Sequence, residues 1–200
     1  MYKVVLAIFI GLLPITTFAQ SILVFGDSIS AGYGIEVQQG WVVLLQKKLA
    51  EQRYQSVIHN ESISGETTAG GLARIDNAIN RLKPDLVLLE LGANDGLRGL
   101  SPQEMHKNLT DMVLRAQKSG AKVLLLSMKI PPNYGSRYIE MFYSIYPQLA
   151  KELNIPYVPF MLEDVALKPE MMQADGLHPN ALAQPIIAEK IWHYLVPLLK

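Results

Sequence analysis

The sequence predicts an α/β fold with three layers, α/β/α, in which helices cover both faces of a mainly parallel five-stranded sheet. Five short runs rich in Val, Leu and Ile are typical of strands, and the stretches between them repeat apolar residues at helical spacing. Strands that are apolar almost throughout are buried on both faces, and a helix between successive strands allows those strands to run parallel.

The five strands follow from short apolar runs, each bounded by polar or turn-forming residues. The third run is almost entirely Leu and Val, which is typical of a strand at the centre of a sheet. The predicted strands cover residues 22–25, 56–59, 86–91, 123–127 and 157–160.

The helices are predicted from apolar stripes and from start signals. The first stripe contains Trp41, Leu45 and Leu49, and the second contains Ile75 and Ile79. The third helix has a start signal in which Ser101 is the N-cap, Pro102 takes the first helical position and Glu104 completes a capping box. Two more helices are predicted over 137–153, with a kink or break at Pro147, and over 181–194.

The amino terminus has the pattern of a secretory signal peptide over residues 1–19. Lys3 precedes an apolar stretch over 4–13, and Thr17, Phe18 and Ala19 form a small-residue cleavage site. This stretch is shorter than the roughly 20 apolar residues that span a bilayer, although an uncleaved anchor is the alternative. We therefore expect one domain over residues 20–200, periplasmic or secreted and without a stable membrane anchor.

Charge and cysteine content narrow the possible functions. The 18 Lys and Arg balance the 18 Asp and Glu, and no basic cluster is visible, which argues against nucleic acid as a partner. The chain has no Cys, so it can form no disulfide and no thiolate zinc site. We expect a monomer that acts on a small substrate.

Four polar segments follow predicted strands and are therefore expected at one edge of the sheet. Ser28 directly follows the first strand, and the others cover 62–65, 92–95 and 175–178. Each alone has an ordinary explanation, because Gly, Asn and Asp are common turn residues. Ligands of open parallel sheets bind outside the carboxyl ends of the strands, so the shared position of all four predicts a functional site.

The residue types at this edge suit nucleophilic catalysis. Ser28 needs a base, and His178 is the only one of the four histidines that lies in such a turn. Asp175 can accept the other ring N–H of that imidazole, which completes a Ser-His-Asp triad. The backbone N–H groups of Ser28 and Gly65 and the side-chain amide of Asn94 are the available donors to an oxyanion.

Four blocks carry a family resemblance: Gly26-Asp27-Ser28, Gly65 with its neighbours, Gly92-Ala93-Asn94-Asp95, and Asp175 to Pro179. In spacing and order they resemble the SGNH (GDSL-type) hydrolases, and most of all the branch of exported acyl-CoA thioesterases, lysophospholipases and arylesterases. The resemblance implies a flavodoxin-like sheet, no cofactor, the triad above, and Ser28, Gly65 and Asn94 as the oxyanion hole. It also implies acyl ester, thioester or lysophospholipid substrates. Ala93 departs from the glycine that is often found at its position.

One other fold and two other functions are alternatives to this interpretation. Ser30 stands where the nucleophile elbow of the α/β-hydrolases requires glycine, so that fold is excluded as the template. A metal-dependent hydrolase would use Asp27, Asp95, Asp175 and His178 as ligands, and a periplasmic binding protein would use the same edge without catalysis. An acyl groove is predicted from Leu97, Leu100, Ile130, Pro131 and Tyr134, with Arg98 and Arg137 as candidates for contact with an anionic head group.

Overall fold

The computed structural model describes residues 19–200 and contains a five-stranded sheet. The predicted signal peptide lies outside the described residues except for Ala19. The strands are β1 (Gln20–Gly26), β2 (Ser56–Asn60), β3 (Leu86–Glu90), β4 (Lys122–Leu126) and β5 (Tyr157–Val158). Every pairing is parallel and the strand order is β2-β1-β3-β4-β5, which is the flavodoxin-like order. The predicted fold class is confirmed.

Seven α-helices are found among the described residues, and the five longest pack in two groups. One group joins the second and last helices, and the other joins the third, fifth and sixth. All five residues of β3 are buried, which shows that the centre of the sheet is covered on both faces. The helices are α1 (Ser28–Ala31), α2 (Trp41–Glu51), α3 (Thr68–Leu82), α4 (Ala93–Leu97), α5 (Pro102–Lys118), α6 (Ser136–Glu152) and α7 (Gln184–Leu195).

The predicted N-cap and first residue of α5 are confirmed, but among the described residues the Glu104 carboxylate makes no hydrogen bond that would complete the capping box. Pro102 is the first residue of α5, and the Ser101 hydroxyl accepts a hydrogen bond from the Glu104 N–H at 3.3 Å. The apolar face of α5 is buried against the sheet and its neighbours, as the stripe of Met105, Leu109 and Met112 predicts.

Four predictions about elements differ from the structure. The last helix begins at Gln184 instead of residue 181. The fifth strand ends at Val158 instead of residue 160, because Pro159 has no N–H to donate to the sheet. The helix over 136–152 does not break at Pro147, since buried Phe142, Tyr146 and Leu149 hold it to the core on both sides of that residue. The segment 92–95 is not a simple turn, because α4 begins at Ala93.

No helix in the part of the chain that the structure describes is both long and apolar enough to cross a bilayer.

Candidate active site

The structure brings Ser28, His178 and Asp175 together at the carboxyl edge of the sheet. Ser28 is the first residue of α1, directly after β1, and its Oγ lies 2.8 Å from Nε2 of His178. The other ring nitrogen, Nδ1, lies 2.6 Å from Oδ2 of Asp175. A hydroxyl, an imidazole and a carboxylate thus form one continuous chain of hydrogen bonds, in which the imidazole can take the proton of the hydroxyl.

The turn that carries Asp175 and His178 fixes the carboxylate through the backbone. Oδ1 of Asp175 accepts hydrogen bonds from the N–H groups of Leu177 at 2.9 Å and of His178 at 3.0 Å. Partial burial raises the pKa of this carboxyl, but the hydrogen bonds from His178 and Leu177 outweigh it and hold the pKa at about 2. Asp175 is therefore ionised at neutral pH and can orient the imidazole.

The imidazole of His178 is also held by packing. The ring of Tyr33 lies against it with centroids 4.7 Å apart, and the carbonyl of Tyr33 accepts a 2.7 Å hydrogen bond from the Gln173 side chain. The Gln173 N–H donates in turn to the His178 carbonyl at 2.8 Å. Sequence reasoning missed both Tyr33 and Gln173, because neither belongs to a strand-end block.

The three predicted oxyanion donors differ in the hydrogen bonds that they make in this structure. Within residues 19–200, the N–H groups of Ser28 and Gly65 donate no hydrogen bond to a protein acceptor. The Asn94 amide donates to Oδ2 of Asp27 at 3.2 Å and to the Glu66 carbonyl at 3.0 Å. Two of the three predicted donors therefore have no protein acceptor in the described part of the chain, and Asn94 would have to redirect one N–H to bind an oxyanion.

Two features fix the loop at Gly65: the backbone conformation of Gly65 and a hydrogen bond from Arg98. The φ of Gly65 is +79°, which is strained for any residue with a side chain. Gly65 does not line the cavity described below, but the next residue, Glu66, accepts the hydrogen bond from Asn94. Nη2 of Arg98 donates to the Gly65 carbonyl at 2.8 Å. Arg98 therefore contacts the loop that carries Gly65.

A buried carboxyl pair lies beside Ser28, the candidate nucleophile. Glu90, the last residue of β3, is fully buried, and its Oε2 accepts hydrogen bonds from the Ser30 hydroxyl at 2.7 Å and the Asp27 N–H at 3.2 Å. A Cβ on Gly26 would lie 2.6 Å from the same oxygen, so only glycine fits beside this pair. Asp27, 1% exposed, accepts from the Ile29 N–H at 3.0 Å and from Asn94.

The two carboxyl groups perturb each other. Burial, reinforced by the neighbouring charge of Asp27, raises the pKa of Glu90 well above its usual range. Burial also raises the pKa of Asp27, to about 6, although the Ile29 N–H and the charge of His178 oppose this shift. Glu90 is a functional candidate that the sequence analysis missed, because it lies within an apolar strand whose pattern shows only burial.

A cavity of about 320 Å³ opens beside Ser28, at the lower end of the size range of small-molecule sites. Of the predicted groove residues, Leu97, Ile130 and Pro131 line it. Leu100 and Tyr134 do not; Tyr134 instead donates its hydroxyl to the Leu97 carbonyl at 2.8 Å. Arg98 and Arg137 also lie outside the lining. The wall is largely apolar, as an acyl chain requires.

The metal-ligand set proposed as an alternative is not assembled. Asp95 is 4% exposed and its carboxylate accepts from the N–H of Thr68 at 2.8 Å and its hydroxyl at 2.5 Å, away from the cavity lining. Within the described range, no three His, Cys, Asp or Glu side chains are grouped so as to hold a metal ion. The geometry therefore favours the serine-based interpretation of this edge.

Comparison with known proteins agrees with the four sequence blocks. Residues 24–184 match the sequence model of the GDSL-like lipase/acylhydrolase family. Esterase TesA from Pseudomonas aeruginosa is 52% identical over 181 residues, which are 90% of this chain and 90% of that protein. Thioesterase 1/protease 1/lysophospholipase L1 from Escherichia coli strain K12 is 45% identical over 181 residues, 90% of this chain and 86% of its own.

The fold is shared with solved structures. A crystal structure of a protein named TesA superimposes with a TM-score of 0.88 and 52% identity, over 90% of this chain and 100% of that one. The likeness therefore extends over nearly all of the residues that the structure describes.

Proposed function

The chain belongs to the GDSL-like lipase/acylhydrolase family, as the sequence blocks predicted, and is an esterase of that family. From this premise we propose that it cleaves acyl esters and thioesters through an acyl-enzyme formed on Ser28. The observation that carries the proposal is the hydrogen-bonded chain from Ser28 Oγ through His178 to Asp175. Residues 20–200 would act as one catalytic domain.

Acylation begins when Nε2 of His178 takes the proton of Ser28 and Oγ attacks the acyl carbonyl carbon. Negative charge then moves to the carbonyl oxygen, which the N–H groups of Ser28 and Gly65 and the Asn94 amide stabilise. Asp175 accepts the Nδ1–H of the imidazolium and stabilises its charge. The tetrahedral intermediate collapses, and the alcohol or thiol leaves with the proton from His178.

Deacylation repeats the same proton transfers with water. His178 takes a proton from a water molecule that attacks the acyl carbonyl, and the second intermediate releases the carboxylic acid and returns the proton to Ser28. The proposed mechanism needs no cofactor, because the chain's own groups supply base, nucleophile and oxyanion donors.

The substrate class rests on the cavity and on the relatives. The apolar wall of the cavity suits an acyl chain, and the relatives named above include an esterase and a thioesterase/lysophospholipase. We propose aryl esters, acyl thioesters and lysophospholipids as substrates, with the enzyme acting as an exported monomer. The amino-terminal signal pattern supports export.

The nucleophile is tested with Ser28→Ala and a matched control, Ser144→Ala, whose hydroxyl is exposed on α6 and bonds only to its own helix. With p-nitrophenyl hexanoate, Ser28→Ala should fall to near background while Ser144→Ala keeps wild-type turnover. Retained turnover by folded Ser28→Ala would remove Ser28 from the mechanism.

Two further measurements separate the alternatives. An organophosphonate should label the wild type covalently and leave Ser28→Ala unlabelled, whereas a binding protein would stay unlabelled in both forms. Activity should survive EDTA, because the proposed chemistry uses no metal. Loss of activity on chelation, restored by a divalent ion, would favour the metal-dependent hydrolase.

A further inference from the structure

One cation stands out in the wall of the catalytic cavity. Among the described residues that line this cavity, Lys129 is the only lysine or arginine. Its Nζ lies 4.7 Å from the ring centroid of Tyr143 and 5.2 Å from that of Phe160, which also lines the cavity. An exposed ammonium group is thus held against two aromatic faces at the wall of a largely apolar cavity.

The ammonium of Lys129 has no anionic partner within residues 19–200. It forms no ion pair or hydrogen bond there, whereas Lys48, Lys190 and Lys200 each pair with a carboxylate. Aromatic faces attract a cation through their quadrupole and do not use its N–H groups as a hydrogen-bond acceptor would. The side chain is therefore positioned while its donors stay available.

The sheet topology places Lys129 and Ser28 two strand spacings apart. Lys129 follows β4 and Ser28 follows β1, and only β3 lies between these strands. Neighbouring strands are about 4.8 Å apart, so the two residues leave the sheet roughly 10 Å from each other. A substrate whose carbonyl carbon is at Ser28 can place a second group near Lys129 along the same cavity.

We propose that Lys129, held by Tyr143 and Phe160, is a subsite for an anionic oxygen group of the substrate, a carboxylate or a phosphate. The inference rests on the proposed ester hydrolysis and adds a charge preference to it. Lysine is a compact cation with three donors, which suits either group. The anion can belong to the far end of the acyl chain or to the alcohol part of the ester.

Two pairs of substrates distinguish these sources. On the acyl side, the p-nitrophenyl half-ester of adipic acid is compared with p-nitrophenyl hexanoate, which has a methyl group in place of the distal carboxylate. On the alcohol side, a monoacylglycerol phosphate is compared with the monoacylglycerol of the same chain. The readout is the ratio of kcat/KM for the anionic and the neutral member of each pair.

The variants are Lys129→Met, Lys129→Arg and the control Lys168→Met, an exposed lysine outside the cavity lining. In at least one pair, Lys129→Met should lower the anionic-to-neutral ratio roughly two- to fivefold, as expected for an ion pair that involves an exposed ammonium. Lys129→Arg should keep most of the ratio, and Lys168→Met all of it. Added salt should lower the wild-type ratio towards that of Lys129→Met.

Each outcome has a distinct meaning. A lower ratio in one pair alone assigns the anion to that side of the ester, and a lower ratio in both assigns it to either side. Equal ratios in wild type and Lys129→Met in both pairs would overturn the subsite. Failure of the proposed function would instead appear as absent hydrolysis of neutral p-nitrophenyl hexanoate by the wild type.

Discussion

Replacing Glu90 tests whether the buried carboxyl pair acts as a neutral hydrogen-bonding support for the nucleophile. Because the pKa of Glu90 is raised well above its usual range, the protonated form is favoured where an ordinary glutamate is ionised. Glutamine has the same shape, carries no charge and still offers an oxygen to Ser30 and to the Asp27 N–H. Glu90→Gln should therefore keep the fold and most of the activity.

Glu90→Ala should behave differently, because it leaves two buried donors without their acceptor. The Ser30 hydroxyl at 2.7 Å and the Asp27 N–H at 3.2 Å would both lose Oε2. Each unsatisfied buried donor costs roughly 1–3 kcal/mol, so the loss of both bonds should lower the free energy of unfolding by roughly 2–6 kcal/mol. For a chain of this length that lowers Tm by about 4–24 °C.

The raised pKa values of Asp27 and Glu90 predict how the free energy of unfolding changes with pH. A carboxyl whose pKa is raised on folding contributes stability that is complete below its unfolded pKa and is lost as the pH rises through the folded pKa. For Asp27 this window runs from its ordinary value of 3.8 to about 6, and the loss due to Glu90 begins near 4.5 and extends upward. Since glutamine does not titrate, the stability of Glu90→Gln relative to wild type should increase with pH.

Urea unfolding at several pH values, followed by the fluorescence of buried Trp41, measures these differences. Glu140→Gln, an exposed change on α6, is the control and should track wild type throughout. Two results would refute the reasoning: a loss in Glu90→Gln as large as in Glu90→Ala, or a stability gap between Glu90→Gln and wild type that stays constant with pH.

The other predictions concern groups around the reacting atoms. Asn94→Ala should lower kcat roughly 100- to 1000-fold, as loss of an oxyanion donor does, and kcat within tenfold of wild type would exclude that role. Arg98→Ala removes the 2.8 Å contact to the Gly65 carbonyl and should lower kcat about tenfold at constant KM; a change in KM alone would place Arg98 in substrate binding instead. Asp175→Asn should lower kcat about 10⁴-fold, and unchanged kcat would refute its role. Because the pKa of Asp175 is held at about 2, the stability that its carboxylate contributes is complete above about pH 4 and is lost as the pH falls towards 2. Urea unfolding of Asp175→Asn and wild type should therefore converge near pH 2.

The strands could be predicted because a strand that is buried on both faces is an almost continuous apolar run in the sequence. All five were found, with errors of up to two residues at each end, since the edge of an apolar run is not the last hydrogen bond of a strand. The helix through Pro147 could not be predicted with the same certainty. Its continuity depends on tertiary packing of Phe142, Tyr146 and Leu149, which a local rule about proline does not include.

The proximity of Ser28, Asp175 and His178 could be predicted because each lies in a strand-end block with a suitable side chain. Glu90 and Lys129 could not, for two different reasons. Glu90 lies within the apolar run that predicts a strand over 86–91, and only the structure shows that its carboxyl turns towards Ser30 and Asp27. Lys129 is one of many charged residues on the surface, and its significance comes from the cavity and the two rings beside it.

The register of the sheet explains how two distant blocks of sequence form one site. β1 and β3 pair so that Gly26 is the partner of Glu90, and α1 and α4 begin shortly after this pair, at Ser28 and Ala93. Successive residues of a strand point to opposite faces, so a shift of one residue would turn Glu90 away from Ser30. The missing Cβ of Gly26 leaves room for the carboxyl at that position. Ser28 and Asn94 are therefore positioned by the pairing of the strands that precede them, and the buried carboxyl pair joins the two ends.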